Sequence, residues 1–301
     1  MTLPLEPRPT ARDFDPEVLR LFDQYVHGQI DRRGFLDGAA RFAAGGTGAA
    51  GLLAALSPRF AQAQVVKPDD ARLRAQQLEY ASPQGHGRAR GTLVQPAGAS
   101  VQRPSVLVVH ENRGLNPHIE DIARRLALEG FLAFAPDALA PLGGYPGDED
   151  KARALFAQLD QRKTQEDFVA AAAWLKARPE SNGRLAVIGF CWGGGVANLL
   201  ATRLPELAAA VPFYGNAAPL DQVARIKARL LIHLADVDER INAGWPAYEA
   251  ALKAAGVAYE THRYAGTQHG FHNDTTPRFD EAAASLAWGR TLAHLRTTLG
   301  T

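Results

Sequence analysis

The segment Val187-Ile188-Gly189-Phe190-Cys191-Trp192-Gly193-Gly194-Gly195 constrains the fold of this chain more than any other. It reads G-x-nucleophile-x-G with cysteine at the centre, between an apolar run, Leu185 to Phe190, and a helical period, Gly193 to Arg203. A chain that passes this sharply from strand to helix holds the central residue in a strained conformation. Glycines at 189 and 193 remove the side chains that would collide around the turn. The N-terminus of the following helix favours a thiolate, because its free N–H groups and its dipole stabilise negative charge. Cys191 is also the only cysteine, so it is not half of an intramolecular disulfide. A lone cysteine is ordinarily a small buried apolar residue; its place in a strand-turn-helix elbow makes this one a candidate nucleophile.

From Val65 onward, apolar β-runs alternate with helical periods. Leu78 to Tyr80 and Arg88 to Val94 read as opening, antiparallel strands. Further strands are predicted at 105–110, 131–135, 185–190, 208–213, 230–234 and 259–264, with helices at 119–129, 150–159, 165–177, 193–203, 245–255 and 281–299. Ser105 to His110 is the β-branched kind of run that lies buried in a parallel sheet. Strands alternating with helices imply right-handed βαβ crossovers, hence an α/β fold with a mostly parallel central sheet and helices on both faces. Hydrophobic residues at 46% and charged residues at 22% are enough for a full core. The formal net charge of +1 gives no electrostatic footprint for nucleic acid or an anionic membrane.

Residues 1–64 read as a separate N-terminal extension, and 65–301 as one domain. The first thirty residues carry mixed charge and no clear period. Asp31-Arg32-Arg33-Gly34-Phe35-Leu36 then precedes a small-residue, weakly apolar stretch from Gly38 to Leu56, and Ala61-Gln62-Ala63-Gln64 offers an A-x-A-like cleavage site. This is similar to a twin-arginine export signal, with the export machinery as partner and the periplasm as destination; the alternative is a cytoplasmic protein with an ordinary amphipathic helix here. The stretch is short and glycine-rich against the ~20 apolar residues a spanning helix needs, so stable membrane insertion is not expected.

Acid and histidine partners of a nucleophile at an elbow follow it in that order, each at the end of a later strand. After Leu230 to Leu234 come Asp236 and Asp238. Asp238 fits better, because Ile241 shortly beyond it re-enters the core. After Tyr259 to Tyr264 come His269 and His272; Gly270 permits a tight turn behind His269, and Phe271 can anchor it. The H-x-x-H spacing lacks a third ligand or a helical H-E-x-x-H context, so no metal is expected. His110-Glu111-Asn112-Arg113-Gly114 closes another strand, where a backbone N–H of Asn112 could pair with that of Trp192 as an oxyanion hole. Glu111 also admits a plain reading, an ion pair with Arg113 or Arg124.

Together, His110-Glu111-Asn112-Arg113-Gly114, Gly189-Phe190-Cys191-Trp192-Gly193-Gly194, Asp238 and His269-Gly270-Phe271 resemble the dienelactone hydrolase (carboxymethylenebutenolidase) family, over roughly Ala75 to Leu299. The resemblance implies an α/β-hydrolase fold and a Cys-His-Asp triad of Cys191, His269 and Asp238. It implies a glutamate that meets the cysteine at rest, here Glu111, and arginines that hold a substrate carboxylate, with Arg113 and Arg153 as candidates. The implied reaction is opening of a small ester or lactone through an acyl-cysteine, with no cofactor. A broader carboxylesterase or thioesterase, and a non-catalytic binding protein on the same fold, are the alternatives. Oligomeric state is open.

Overall fold

The computed structural model describes residues 9–43, 48–98 and 101–300. Helices α1 (Pro16–Val26), α2 (Arg32–Ala39), α3 (Ala49–Leu56) and the short α4 (Phe60–Ala63) come first. Strands β1 (Leu73–Ser82), β2 (Gly87–Pro96) and β3 (Arg103–Val109) lead to α5 (Pro117–Leu128), then β4 (Leu132–Pro136), α6 (Glu149–Phe156) and α7 (Gln161–Lys176). The chain continues through β5 (Ser181–Phe190), α8 (Trp192–Arg203), β6 (Ala209–Phe213) and β7 (Arg229–Val237). It ends with α9 (Glu239–Asn242), α10 (Trp245–Ala254), β8 (Tyr259–Gln268) and α11 (Glu281–Leu299).

The strands form one eight-stranded sheet in the order β1-β2-β4-β3-β5-β6-β7-β8. β1 pairs antiparallel with β2, and β2 antiparallel with β4; every pairing from β4 through β3 to β8 is parallel. This is the α/β-hydrolase arrangement. β4 and β6 are buried along their whole length, because helices cover both faces. α7, α8 and α10 pack on one face with Leu107, Val187 and Ala210; α5 and α11 pack on the other with Val106, Ile188 and Val211. Caps set the helix starts: Asn116 accepts from Ile119 N–H at 3.2 Å, and Pro117, which has no N–H to lose, opens α5.

Two features depart from the sequence reading. β7 and β8 run on past the expected ends at 234 and 264, to Val237 and Gln268, which pair with each other after an irregularity beyond Ala235. Apart from Val237 the extensions are small or polar residues, Ala235-Asp236 and Ala265-Gly266-Thr267-Gln268, so hydropathy hides the strand ends. The second departure lies before Val65. Within the stretch expected to have no period, Asp15 caps α1 by accepting from Glu17 N–H at 2.8 Å, and Val18, Leu19, Leu21, Phe22 and Tyr25 are buried along one helical face. Arg20, Asp23 and Gln24 interleave with that face and mask it in the sequence.

Phe35 of α2 packs edge-on to Phe22 at 6.3 Å, and with Leu53 and Leu56 of α3 completes a small core that stands across the C-terminal ends of the strands. Burying each large apolar side chain is worth roughly 1.5–3 kcal/mol, against about 0–1 kcal/mol for an exposed ion pair such as Arg32–Asp150. Packing therefore holds these helices more than their charges do. Among the described residues, no helix is long and apolar enough to cross a membrane. Of the segment read as a leader, residues 1–8 and 44–47 lie outside the described residues.

Candidate active site

Cys191 sits between β5 and α8 at φ 55° and ψ −114°, a conformation L-residues rarely adopt. The elbow forces it. A Cβ on Gly189 would stand 2.0 Å from the Gly193 carbonyl oxygen, and one on Gly193 2.4 Å from the Val109 oxygen, so both positions exclude a side chain. Cys191 N–H donates to the Phe213 carbonyl of β6 at 3.1 Å, and the Cys191 carbonyl accepts from Gly194 N–H at 3.0 Å as α8 begins. Cys191 as a residue is 7% exposed.

The register of β7 and β8 brings the next two residues together. Because Val237 is paired with Gln268, Asp238 and His269 leave adjacent strand ends side by side. His269 Nδ1 lies 2.6 Å from Asp238 Oδ2, with both residues about 5% exposed or less. The carboxylate is itself fixed, accepting from Ile241 N–H at 3.3 Å. Asp236 is turned elsewhere and accepts from Gly266 N–H at 3.0 Å. With Nδ1 held by Asp238, Nε2 of His269 is buried without a hydrogen-bond partner of its own, which leaves it as the ring nitrogen available to the thiol. Tyr214, in the left-handed region at φ 36°, packs its ring 4.9 Å from the imidazole. His272 lies in the core between Phe190 and Phe213, where burial holds it neutral, its pKa pushed down to about 3.

A second imidazole also reaches the nucleophile. His27, just past α1, places Nε2 at 3.4 Å from Cys191 Sγ, and its ring lies edge-on to His269 at 4.7 Å. Burial pushes the thiol up, but His269 and His27 outweigh it and bring the Cys191 pKa down to about 6. Burial likewise opposes charge on His269; the thiolate and Asp238 prevail and lift it to about 10. The three side chains offer ligand atoms within 4.8 Å of one another, but the Arg240 guanidinium, 3.0 Å from His27 Nε2, opposes a cation there.

The remaining sequence candidates fall around this centre. Glu111 accepts from Asn273 Nδ2 at 2.8 Å, and the groups that act on the thiol are the two imidazoles, His27 and His269. Trp192 opens α8, so its N–H belongs to the first turn, which has no intrahelical acceptor. Asn112 donates from its side chain to the Val26 carbonyl at 2.9 Å. Arg113 is buried, donating to the Asn112 and Val26 carbonyls at 3.0 and 3.1 Å, with Glu149 at 3.6 Å. Arg153 lies over the Tyr25 ring at 4.4 Å. The end of α1 thus docks on Cys191, Asn112, Arg113 and Arg153 together. Motif reading missed His27, Asp23, Tyr214, Asn273 and Arg278. The helical spacing of the apolar residues in α1 is the signal that would have found the first two.

These features match known proteins. The model of the dienelactone hydrolase family covers residues 89–299. The chain belongs to the dienelactone hydrolase family. A second model, described as YqhI-like, matches residues 6–44, the stretch that contains α1 and α2. The chain is 53% identical over 105 residues to the hydrolase fragment YghX of Escherichia coli (strain K12), a match spanning 35% of this chain and 90% of that one. It is 33% identical over 207 residues to a protein of Bradyrhizobium sp named as a 2-oxo-3-(5-oxofuran-2-ylidene)propanoate lactonase, across 64% and 83% of the two chains. Among solved structures, a dienelactone hydrolase from Klebsiella pneumoniae subsp. pneumoniae MGH 78578 superposes with a TM-score of 0.64 at 30% identity, over 73% of this chain and 98% of that one. This family member is a hydrolase of esters or lactones.

Proposed function

We propose that the protein opens a small, carboxylate-bearing ester or lactone through an acyl-cysteine formed on Cys191. One observation carries the reading: a buried cysteine in a strained elbow faces an imidazole whose far nitrogen is held by Asp238 at 2.6 Å. The thiolate attacks the carbonyl carbon, and the amides of Trp192 and Asn112 receive the oxyanion. Protonated His269 gives its proton to the leaving alkoxide. The neutral ring then takes a proton from the water that attacks the thioester, with Asp238 steadying the imidazolium in both half-reactions.

The size and charge of the surroundings support the substrate class. A cavity of about 400 Å³ beside the site is lined by Glu111, Arg113, Tyr145 and Arg278, and another of about 430 Å³ by Asp238, His269, Arg240 and Arg278. Both volumes suit a small molecule. Arg278 lines both, with Nη1 3.2 Å from Asp23, and its guanidinium is the proposed partner of a substrate carboxylate. In this state Arg113 and Arg153 hold the end of α1; as carboxylate binders they would have to exchange those contacts for substrate. Glu111, bonded to Asn273, would have to turn to reach the thiol. Initial rates on lactones, aryl esters and thioesters, with and without an acid group, test the reading, with Cys191→Ala as the blank. Faster turnover of the acid-bearing members is expected. Equal rates would remove the carboxylate from the proposal, and no turnover of any member would remove the reaction.

Export is a separate proposal. It rests on Arg32-Arg33-Gly34-Phe35-Leu36 and the apolar run behind it, with the twin-arginine machinery as partner and the periplasm as destination.

A further inference from the structure

We infer that His27, carried by the helical N-terminal segment, is a second catalytic histidine that shares the Cys191 thiol proton and holds the thiolate in the resting site. The inference rests on the reading of Cys191 as nucleophile. It adds to the active site a residue outside the span 89–299 of the hydrolase family match.

His27 stands beside His269, the two rings edge-on at 4.7 Å, so both imidazoles bear on one sulfur. His27 follows the last turn of α1, and its Nδ1 lies 2.8 Å from the Asp23 carbonyl oxygen and 3.3 Å from the Asp23 carboxylate. A carbonyl oxygen accepts and cannot donate, so the proton of the neutral ring sits on Nδ1, and the Nε2 lone pair is shared between Sγ at 3.4 Å and the donating Arg240 Nη2 at 3.0 Å. Asp23 therefore stands behind His27 as Asp238 stands behind His269. The step is a proton transfer: the Sγ–H bond breaks, its electron pair stays on sulfur, and an Nε2–H bond forms. The product is a thiolate flanked by two imidazoles, at least one of them charged.

The charged groups around His27 decide whether that transfer is favourable. Asp23 on its own helix and the Cys191 thiolate across the cleft favour the charged ring. His269 opposes it, and so does Arg240 on α9, whose Nη2 lies 3.0 Å from the same Nε2. Arg240 has another acceptor, Asn216 Oδ1 at 3.4 Å from Nη1, toward which the guanidinium can turn when the ring takes a proton. Arg278 binds Asp23 and tempers its charge. Burial disfavours the charged ring most, yet the thiolate and Asp23 together raise the His27 pKa above its ordinary value. The contacts of Val26 with Asn112 and Arg113 fix the ring in place from the residue before it.

The test is the pH dependence of Cys191 alkylation by iodoacetamide in the full-length protein, which reads thiolate without requiring turnover. In the wild type the rate should rise with a midpoint near 6. His27→Gln should move that midpoint up by about one unit, cutting the rate at acidic pH about tenfold, since below both midpoints the thiolate fraction falls tenfold per unit. Asp23→Asn keeps the ring and weakens its support, so it should shift the midpoint the same way by less. Thermal melts accompany both variants. If His27→Gln does not fold, the Asp23→Asn profile decides. An unchanged midpoint in the folded variants would reduce His27 to packing and overturn the inference. A shifted midpoint in a protein that hydrolyses no ester would leave His27 standing and sink the proposed reaction.

Discussion

His269 and Asp238 meet at 2.6 Å because the residues before them, Gln268 and Val237, are paired across β8 and β7. The acid is thus chosen by strand register as much as by chemistry, and the choice between the aspartates of that loop can be tested directly. Asp238→Asn should lower kcat by on the order of 10³–10⁴, because an amide can donate to Nδ1 and leave Nε2–H facing the thiol, the wrong tautomer for a base. Asp236→Asn, which alters only an acceptor for Gly266 N–H, should stay within a few-fold of wild type. Steady-state kinetics on one ester separates them, and the opposite ranking would move the triad to Asp236.

The pH profile of kcat/KM should be a bell. Below about 6 the thiol is protonated and the nucleophile is lost; above about 10 His269 is neutral and cannot protonate the leaving alkoxide. Activity should therefore rise through the first value and fall through the second. Both limbs belong to the coupled thiolate–imidazolium system rather than to either residue alone. A single acid limb near 8.5, the ordinary range of a cysteine, would show that the imidazoles do not stabilise the thiolate.

Replacing Arg32 and Arg33 with lysine tests export. If the pair is read by the twin-arginine machinery, the variant should stay in the cytoplasm while the wild type is found in the periplasm on fractionation. A wild type already confined to the cytoplasm would refute the proposal. The N-terminal sequence of exported protein adds a structural consequence: cleavage near Ala61–Gln64 would remove His27, Asp23 and the whole of α1 from the site.

What could be read from the sequence followed from how local each signal is. The elbow is a contiguous motif whose glycines are required by approaches of 2.0 and 2.4 Å, so strand, turn and helix were all legible around Cys191. The alternating parallel core was legible because strands covered on both faces are apolar throughout. The ends of β7 and β8 were not, since Asp236 and Thr267 are polar and are held there by side-chain bonds between the strands, Thr267 Oγ1 accepting from Asp236 N–H at 3.4 Å and Asp236 Oδ2 from Gly266 N–H at 3.0 Å. His27 was still less accessible: 164 residues separate it from the cysteine, and no spacing rule links a helix packed across the strand ends to an elbow. The period of α1 was present, but a face of Val18, Leu19, Leu21, Phe22 and Tyr25 interleaved with Arg20 and Asp23 reads as mixed charge until its burial is seen.

The central claim is covalent catalysis at Cys191, and the intact mass of the protein during turnover tests it most directly. Rapid acid quench of the wild type with a slowly hydrolysed aryl ester should show a mass increase equal to the acyl group, mapped by peptide digestion to Cys191. Cys191→Ala, which removes the nucleophile but keeps a small residue at the elbow, should show no adduct and lose on the order of 10⁶ in kcat. Turnover by the alanine variant above a few per cent of wild type, or an acyl group mapped to any other residue, would contradict the account.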